Sequence, residues 1–141
     1  MLRYKLYQNN NSSSKSHGLW FARAYQDETL DLEALSNHMS EHDTPFSPGV
    51  ILGVLKDMIR CIKELTLNGK SVKLDDLAIF SIGIHSTGAD SPKKFDAKKN
   101  IRRVHLRSRA TGKFSTAALN LVVKTGEYGK YDTQENNSTN P

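Results

Sequence analysis

The sequence is poor in cysteine, in long apolar runs and, over one stretch, in negative charge. Its 141 residues include a single cysteine, Cys61, which excludes an internal disulfide and a cysteine-built zinc site. Cys61 falls within an apolar helical pattern, so a buried thiol in a reducing cytoplasm is expected. No apolar run approaches the ~20 residues that a membrane-spanning helix needs. The N-terminus, Met1-Leu2-Arg3-Tyr4-Lys5, alternates charge with bulk where a secretory signal would be unbroken. The expectation is a soluble cytoplasmic protein with no membrane partner. Between Lys93 and Lys124 the only carboxylate is Asp96, set against ten cationic side chains, so the local charge of +9 exceeds the +5 of the whole chain. Charge concentrated this way implies an anionic partner for that region, and nucleic acid is the first candidate.

A chain of this length should bury roughly 68% of the surface it exposes when unfolded, enough for one domain with appendages. Arg3 to Tyr7 alternates bulky and charged side chains, and Leu19 to Tyr25 is aromatic and β-prone, so the two predict an N-terminal hairpin. The Asn- and Ser-rich segment Gln8 to Gly18 between them reads as a mobile loop. Asp31 predicts the cap of a helix with a stripe at Leu32, Leu35 and Met39, ending near Glu41. Ser47-Pro48 opens a longer helix in which Ile51, Leu55, Met58, Ile62 and Leu65 recur at intervals of four and three. Val54, Ile59 and Cys61 widen that stripe, which is then covered either by a second subunit or by a sheet of the same chain. After the Asn68-Gly69 turn, Ser71 to Leu74 and Ala78 to Ile84 read as strands, with Phe80, Ile82 and Ile84 on one face. His85 to Asn100 is a polar excursion suited to a projecting arm. Strand character resumes at Ile101 and breaks at Thr111-Gly112, and Ser115 to Val122 fits a short helix. The divisions expected are a hairpin extension over 1–28, a main domain over 29–124 and a polar, disordered tail over 125–141.

Along Ile101 to Arg109 strand alternation places Arg103, His105, Arg107 and Arg109 on one face, and Arg102, Val104, Leu106 and Ser108 on the other. Successive residues on a face lie ~6.6–6.8 Å apart, close to the spacing of neighbouring phosphates along a nucleic-acid strand. The guanidinium fork can hold a phosphate with two hydrogen bonds. A surface serving solubility alone mixes signs, and this one does not. Ser91-Pro92-Lys93-Lys94 resembles the Ser-Pro-Lys-Lys units of linker-histone tails that lie in the minor groove. Pro92 is thus a candidate for minor-groove contact or for a wedge between base pairs, with an ordinary turn as the alternative. His38-x-x-Glu41-His42 matches the spacing of inverted zinc peptidases. A catalytic zinc needs a third protein ligand in a cleft, so surface histidines are the preferred reading. With no nucleophile placed beside a base, we expect no enzyme, metal, cofactor or small-molecule substrate.

Several motifs in order resemble the bacterial HU/IHF histone-like family, in particular its divergent HU-like variants with an additional N-terminal β-segment. The resemblance spans about Leu30 to Val122. It rests on the two-helix unit with Leu32, Leu35 and Ser47 to Leu65, and on Asn68-Gly69-Lys70-Ser71-Val72-Lys73-Leu74, similar to the family's Gly-x-x-Val-x-Leu. It continues through Leu77-Ala78-Ile79-Phe80, the arm strand Ile101 to Arg109, and Thr111-Gly112-Lys113-Phe114 followed by Ala117-Ala118-Leu119. Ala78 stands where the family usually has glycine, and Asp90-Ser91-Pro92 where it has Arg-Asn-Pro. The resemblance implies an α+β, HU-like intertwined homodimer: an N-terminal helical pair, a three-stranded sheet with projecting β-arm, and a short C-terminal helix. To these the sequence adds the N-terminal β-hairpin. It also implies a nucleoid-associated, architectural role that bends or condenses double-stranded DNA with little sequence preference. Backbone contacts would come from Arg103, Arg107, Arg109 and Lys113, with Arg102 beside them and Lys93, Lys94, Lys98 and Lys99 on the arm. Ile51, Leu55, Met58, Ile62 and Phe80 would form the dimer core. Two alternatives stay open: a protein-interaction module using Trp20, Phe21 and Tyr25, and RNA binding.

Overall fold

The computed structural model describes residues 1–129; most of the expected tail, residues 130–141, lies outside the described residues. The fold is α+β, with four α-helices and two three-stranded sheets among the described residues. The chain forms two compact units. One is Leu30–Leu119, and the other is Met1–Thr29 together with residues 120–129.

In the larger unit α1 spans Leu32–Ser40 and α2 spans Pro48–Leu67. Both start where side-chain caps satisfy amides that a first helical turn leaves unpaired. The Asp31 carboxylate accepts from the Ala34 N–H at 2.8 Å, and the Ser47 hydroxyl accepts from the Val50 N–H at 3.3 Å. At the far end of α2, Gly69 takes a left-handed φ of 78°. The Lys70 N–H then reaches back to the Leu65 carbonyl at 3.0 Å, closing the helix as the Asn68-Gly69 pair predicts. Among the described residues Ser36 and Thr66 are the buried polar ones, and each hydroxyl donates to a carbonyl one turn back, Leu32 at 2.7 Å and Ile62 at 2.8 Å.

The sheet of this unit runs β3 (Val72–Leu74), β4 (Ala78–Ser86), β5 (Ile101–Ala110), all antiparallel. Phe80 stands opposite Val72 and Ser108, and Ile82 opposite Leu106, so the apolar sides of three strands coincide. This face meets α2 across an apolar cleft of about 460 Å³ lined by Met58, Ile62, Leu74, Phe80 and Leu106, among others. A second apolar cleft, about 290 Å³, lies between Met39, Phe46, Val50, Ile51, Val54 and Leu55. Both clefts open to the surface, so the apolar side chains lining them are only partly covered by the described residues. Of the five residues expected in a dimer core, Ile51 is buried, while Leu55, Met58, Ile62 and Phe80 are half-buried. Among the described hydrophobic residues Ile51 alone is buried, and Val54, Ile84, Val104 and Leu106 are 58–64% exposed.

Three expectations are corrected. Cys61 is exposed, not buried, because it sits two helical turns beyond Val54 on a flank of α2 that its own chain leaves uncovered. The excursion is not an extended β-arm. β4 and β5 pair as far as Ser86 and Ile101, where the register shifts, and the Thr87 N–H then donates to the Asn100 carbonyl at 2.9 Å. Beyond that point the tip folds into a 3-10 turn, Pro92–Lys94, and a one-turn helix, α3 (Ala97–Asn100). Asp96 and Asn100 favour this compact form through short-range capping bonds, with the Asp96 carboxylate accepting from Lys98 N–H and the Asn100 amide oxygen from Asp96 N–H, both at 2.9 Å. Third, Thr125–Glu127 is not the start of a polar tail but a strand, β6.

β6 follows α4 (Thr116–Val122) and belongs to the smaller unit, where it pairs in parallel with β1 (Leu2–Gln8). β2 (Trp20–Ala24) pairs with the other edge of β1, giving the order β2-β1-β6. The predicted hairpin is therefore the larger part of a three-stranded sheet. The segment joining β1 to β2 is tied by its own polar groups: Gly18 N–H donates to Asn9 O at 2.8 Å and Ser13 N–H to the Asn11 side chain at 3.1 Å. Such Asx and serine turns order a loop without apolar anchors.

Candidate nucleic-acid interface

Pairing with β4 fixes what strand alternation proposes for β5. Arg109, Arg107, His105 and Arg103 stand opposite Ile79, Ser81, Gly83 and His85, on the face turned away from the apolar cleft. Lys73 of β3 stands opposite Ile79 and thereby joins the row of Arg109. His85 and Lys73 extend the arginine stripe across three strands, and neither is distinguished by the composition of β5 alone. The signal for Lys73 is its alternation with Val72 and Leu74, which assigns it to the opposite face once the register is known.

Gly83 gives this face its local shape. A Cβ at Gly83 would lie 2.6 Å from Arg107 Cδ and 2.8 Å from His105 Nε2. Real side chains do not approach so closely, so the missing side chain lets Arg107 and His105 lean inward across β4. The Arg107 Cδ and the His105 ring thereby lie over Gly83 of β4.

The other predicted contact residues are placed unevenly. Arg102 falls beside the register shift at Ser86, off the arginine face. Lys113 lies in the 3-10 turn Gly112–Phe114, after β5, and its Nζ is 3.9 Å from Asp76. Gly112, at φ 56°, makes this approach: a Cβ would collide with the Asp76 carboxylate and Cα. Lys93 and Lys94 occupy the tip turn, and Lys98 and Lys99 sit on α3. Asp90 lies 3.3 Å from Lys94 Nζ, and Asp96 4.0 Å from Lys99 Nζ. These pairs are exposed, so they are weak and yield readily to a phosphate. Pro92 is the first residue of its turn and is exposed, beside Phe95 in a shallow surface hollow.

His38 and His42 meet one helical turn apart, with Nε2 atoms 3.1 Å apart. Among the described residues no cluster of three metal-ligating side chains forms. Trp20, Phe21 and Tyr25 do not make one surface. Phe21 lies opposite Tyr7 and faces one side of its sheet, whereas Trp20, opposite Gln8, faces the other and is exposed. No helix among the described residues is long and apolar enough to cross a membrane.

Residues 1–122 match the model of a family described as HU domain fused to wHTH, Ig, or Glycine-rich motif. No curated protein matches the sequence. Among solved structures the chain is similar to a Bacteroides vulgatus protein described as a candidate bacterial DNA-binding protein, with TM-score 0.63 and 14% identity. That match covers 90% of this chain but 47% of the other, so the chain spans about half the length of its structural relative.

Proposed function

Because the chain belongs to this HU-domain family, we propose that it is an architectural protein that binds double-stranded DNA with little sequence preference and works as a homodimer. The carrying observation is the division of one three-stranded sheet into a face bearing Lys73, Arg103, Arg107 and Arg109 and an opposite face of Phe80, Ile82, Val104 and Leu106. The cationic face supplies phosphate contacts at the repeat of an extended strand. Affinity from such phosphate contacts arises mainly from counterion release.

The apolar face supports the dimer. A single buried hydrophobic residue among those described is too little for a chain of this size. A second copy laid over Val54, Ile84, Val104 and Leu106 would complete both clefts and cover the flank of Cys61. Two cationic faces joined by that core would meet one duplex from two directions, which is how a rigid protein favours bent DNA. Tip lysines and Lys113 add outlying contacts. A nucleoid location follows from this reading, which involves no chemical step.

Titration with salt tests it. If a dimer makes ~8 phosphate contacts, log K should fall with log salt at a slope of about −7. Linear, nicked and four-way duplexes competed at fixed salt report preference for bent DNA, and duplex RNA in the same series separates the two nucleic acids. Absence of duplex binding at low salt would overturn the proposal.

A further inference from the structure

We propose that the N-terminal sheet is itself a binding surface, for single-stranded nucleic acid. Pairing of β1 with β2 and β6 sorts its side chains into two unlike faces. On one, Arg3, Lys5 and Arg23 are the charged residues contributed by the strands, and all are cations. Glu127, opposite Tyr4, belongs to the other face. The same face as the cations carries the rings of Tyr7, Phe21, Tyr25 and Tyr128.

The arrangement is ordered along the strands. At one end Tyr7 and Phe21 lie with ring centroids 5.9 Å apart and are 42% and 38% exposed. At the other Tyr25 and Tyr128 stack at 4.0 Å, held by backbone bonds from Tyr25 N–H to Arg3 O and from Tyr128 N–H to Tyr4 O, both 2.8 Å. Between them stands the row of Lys5 and Arg23. Lys5 Nζ lies 4.1 Å from the Tyr25 ring centre, and the Arg23 guanidinium 5.7 Å from that of Tyr7. A cation over a ring keeps its full charge and its outward N–H groups. The face is therefore one exposed aromatic platform, Tyr7 and Phe21, beside a row of cations in which Lys5 and Arg3 lie over the half-buried Tyr25–Tyr128 pair.

Those two elements together select the ligand. Cations alone would take any polyanion, but exposed rings gain from a flat partner, and stacked duplex bases offer none. An unstacked strand offers both, its bases to the Tyr7–Phe21 platform and its phosphates to the cations, and such binding tolerates any sequence because every base has a π-face. This surface does not depend on the cationic face of β5.

The experiment uses the whole chain and measures fluorescence anisotropy with labelled oligothymidine, oligouridine and a blunt duplex of equal length. Phe21→Leu with Tyr7→Leu keeps apolar, strand-compatible side chains but removes the stacking rings. Oligothymidine affinity should fall by between about 5- and 150-fold for each base left unstacked, with duplex affinity within twofold of the parent. Arg107→Ala should do the reverse. Arg23→Gln, which leaves the rings in place, should flatten the oligothymidine salt slope by about 0.7 for the phosphate it no longer neutralises. The idea is overturned if neither oligothymidine nor oligouridine binds at low salt, if the ring variant binds the single strand normally, or if ring loss weakens duplex and single strand in parallel. Retention on oligouridine alone would restrict the surface to RNA and support it.

Discussion

Replacing Gly83 by alanine separates the geometry of the cationic face from its charge. The new Cβ would stand 2.6 Å from Arg107 Cδ and 2.8 and 2.9 Å from His105 Nε2 and Cε1. Gly83 is not among the residues with positive φ, so the backbone accepts alanine, and strand interiors favour it over glycine by about 0.5–1 kcal/mol. Overfilling a packed site costs about 1–3 kcal/mol. Here the obstructing side chains are exposed and can swing aside, which holds the cost near the low end. Stability should therefore change by no more than about 1 kcal/mol. Binding should change more, because the movement carries Arg107 and His105 off the face. A hydrogen bond to a charged group contributes about 1.5–3 kcal/mol, so losing one at the low end lowers affinity about tenfold, and about a hundredfold when both protomers lose it. Duplex binding by anisotropy across a salt series, with a thermal melt beside it, reads both effects. The salt slope should flatten by about 0.9 for each phosphate that is no longer neutralised. A variant that melts normally and binds with unchanged affinity and slope would refute the argument, leaving net charge as sufficient.

Arg107→Ala combined with Arg109→Ala should weaken binding to unrelated duplex sequences alike; a loss confined to one sequence, seen in parallel gel shifts, would point to base readout instead. Leu106→Asp places a carboxylate on the open apolar face, so sedimentation should show dissociation with loss of cooperative melting, and a dimer of unchanged stability would remove that face from the interface. Gly112→Ala meets both a φ of 56° and the Asp76 carboxylate, and should destabilise the fold by about 1–3 kcal/mol, measured by urea unfolding.

Local signals carry much of the fold. Asp31 and Ser47 cap helices where their side chains can reach an amide three residues on, and those interactions lie within one turn of chain. The alternation of Arg103, Arg107 and Arg109 likewise needs only the pleat of one strand. The tip marks the limit of such signals. Asp96 and Asn100 are local caps as well, but where the ladder stops depends on Thr87 pairing with Asn100, thirteen residues away in the chain.

The sequence by itself determined which residues share a face, because side-chain direction along a strand or helix repeats with the backbone's own period. Tertiary structure decided which faces meet and what lies between them. It brought Lys73 to the arginine row through the β3–β4 register, and turned Gly83 from a β-strand weakness into the space under Arg107. It also fetched β6 from beyond α4 to the free edge of β1. These pairings join residues far apart in the chain, so their free energy depends on closing long loops and matching whole strands. No short window of sequence contains that information.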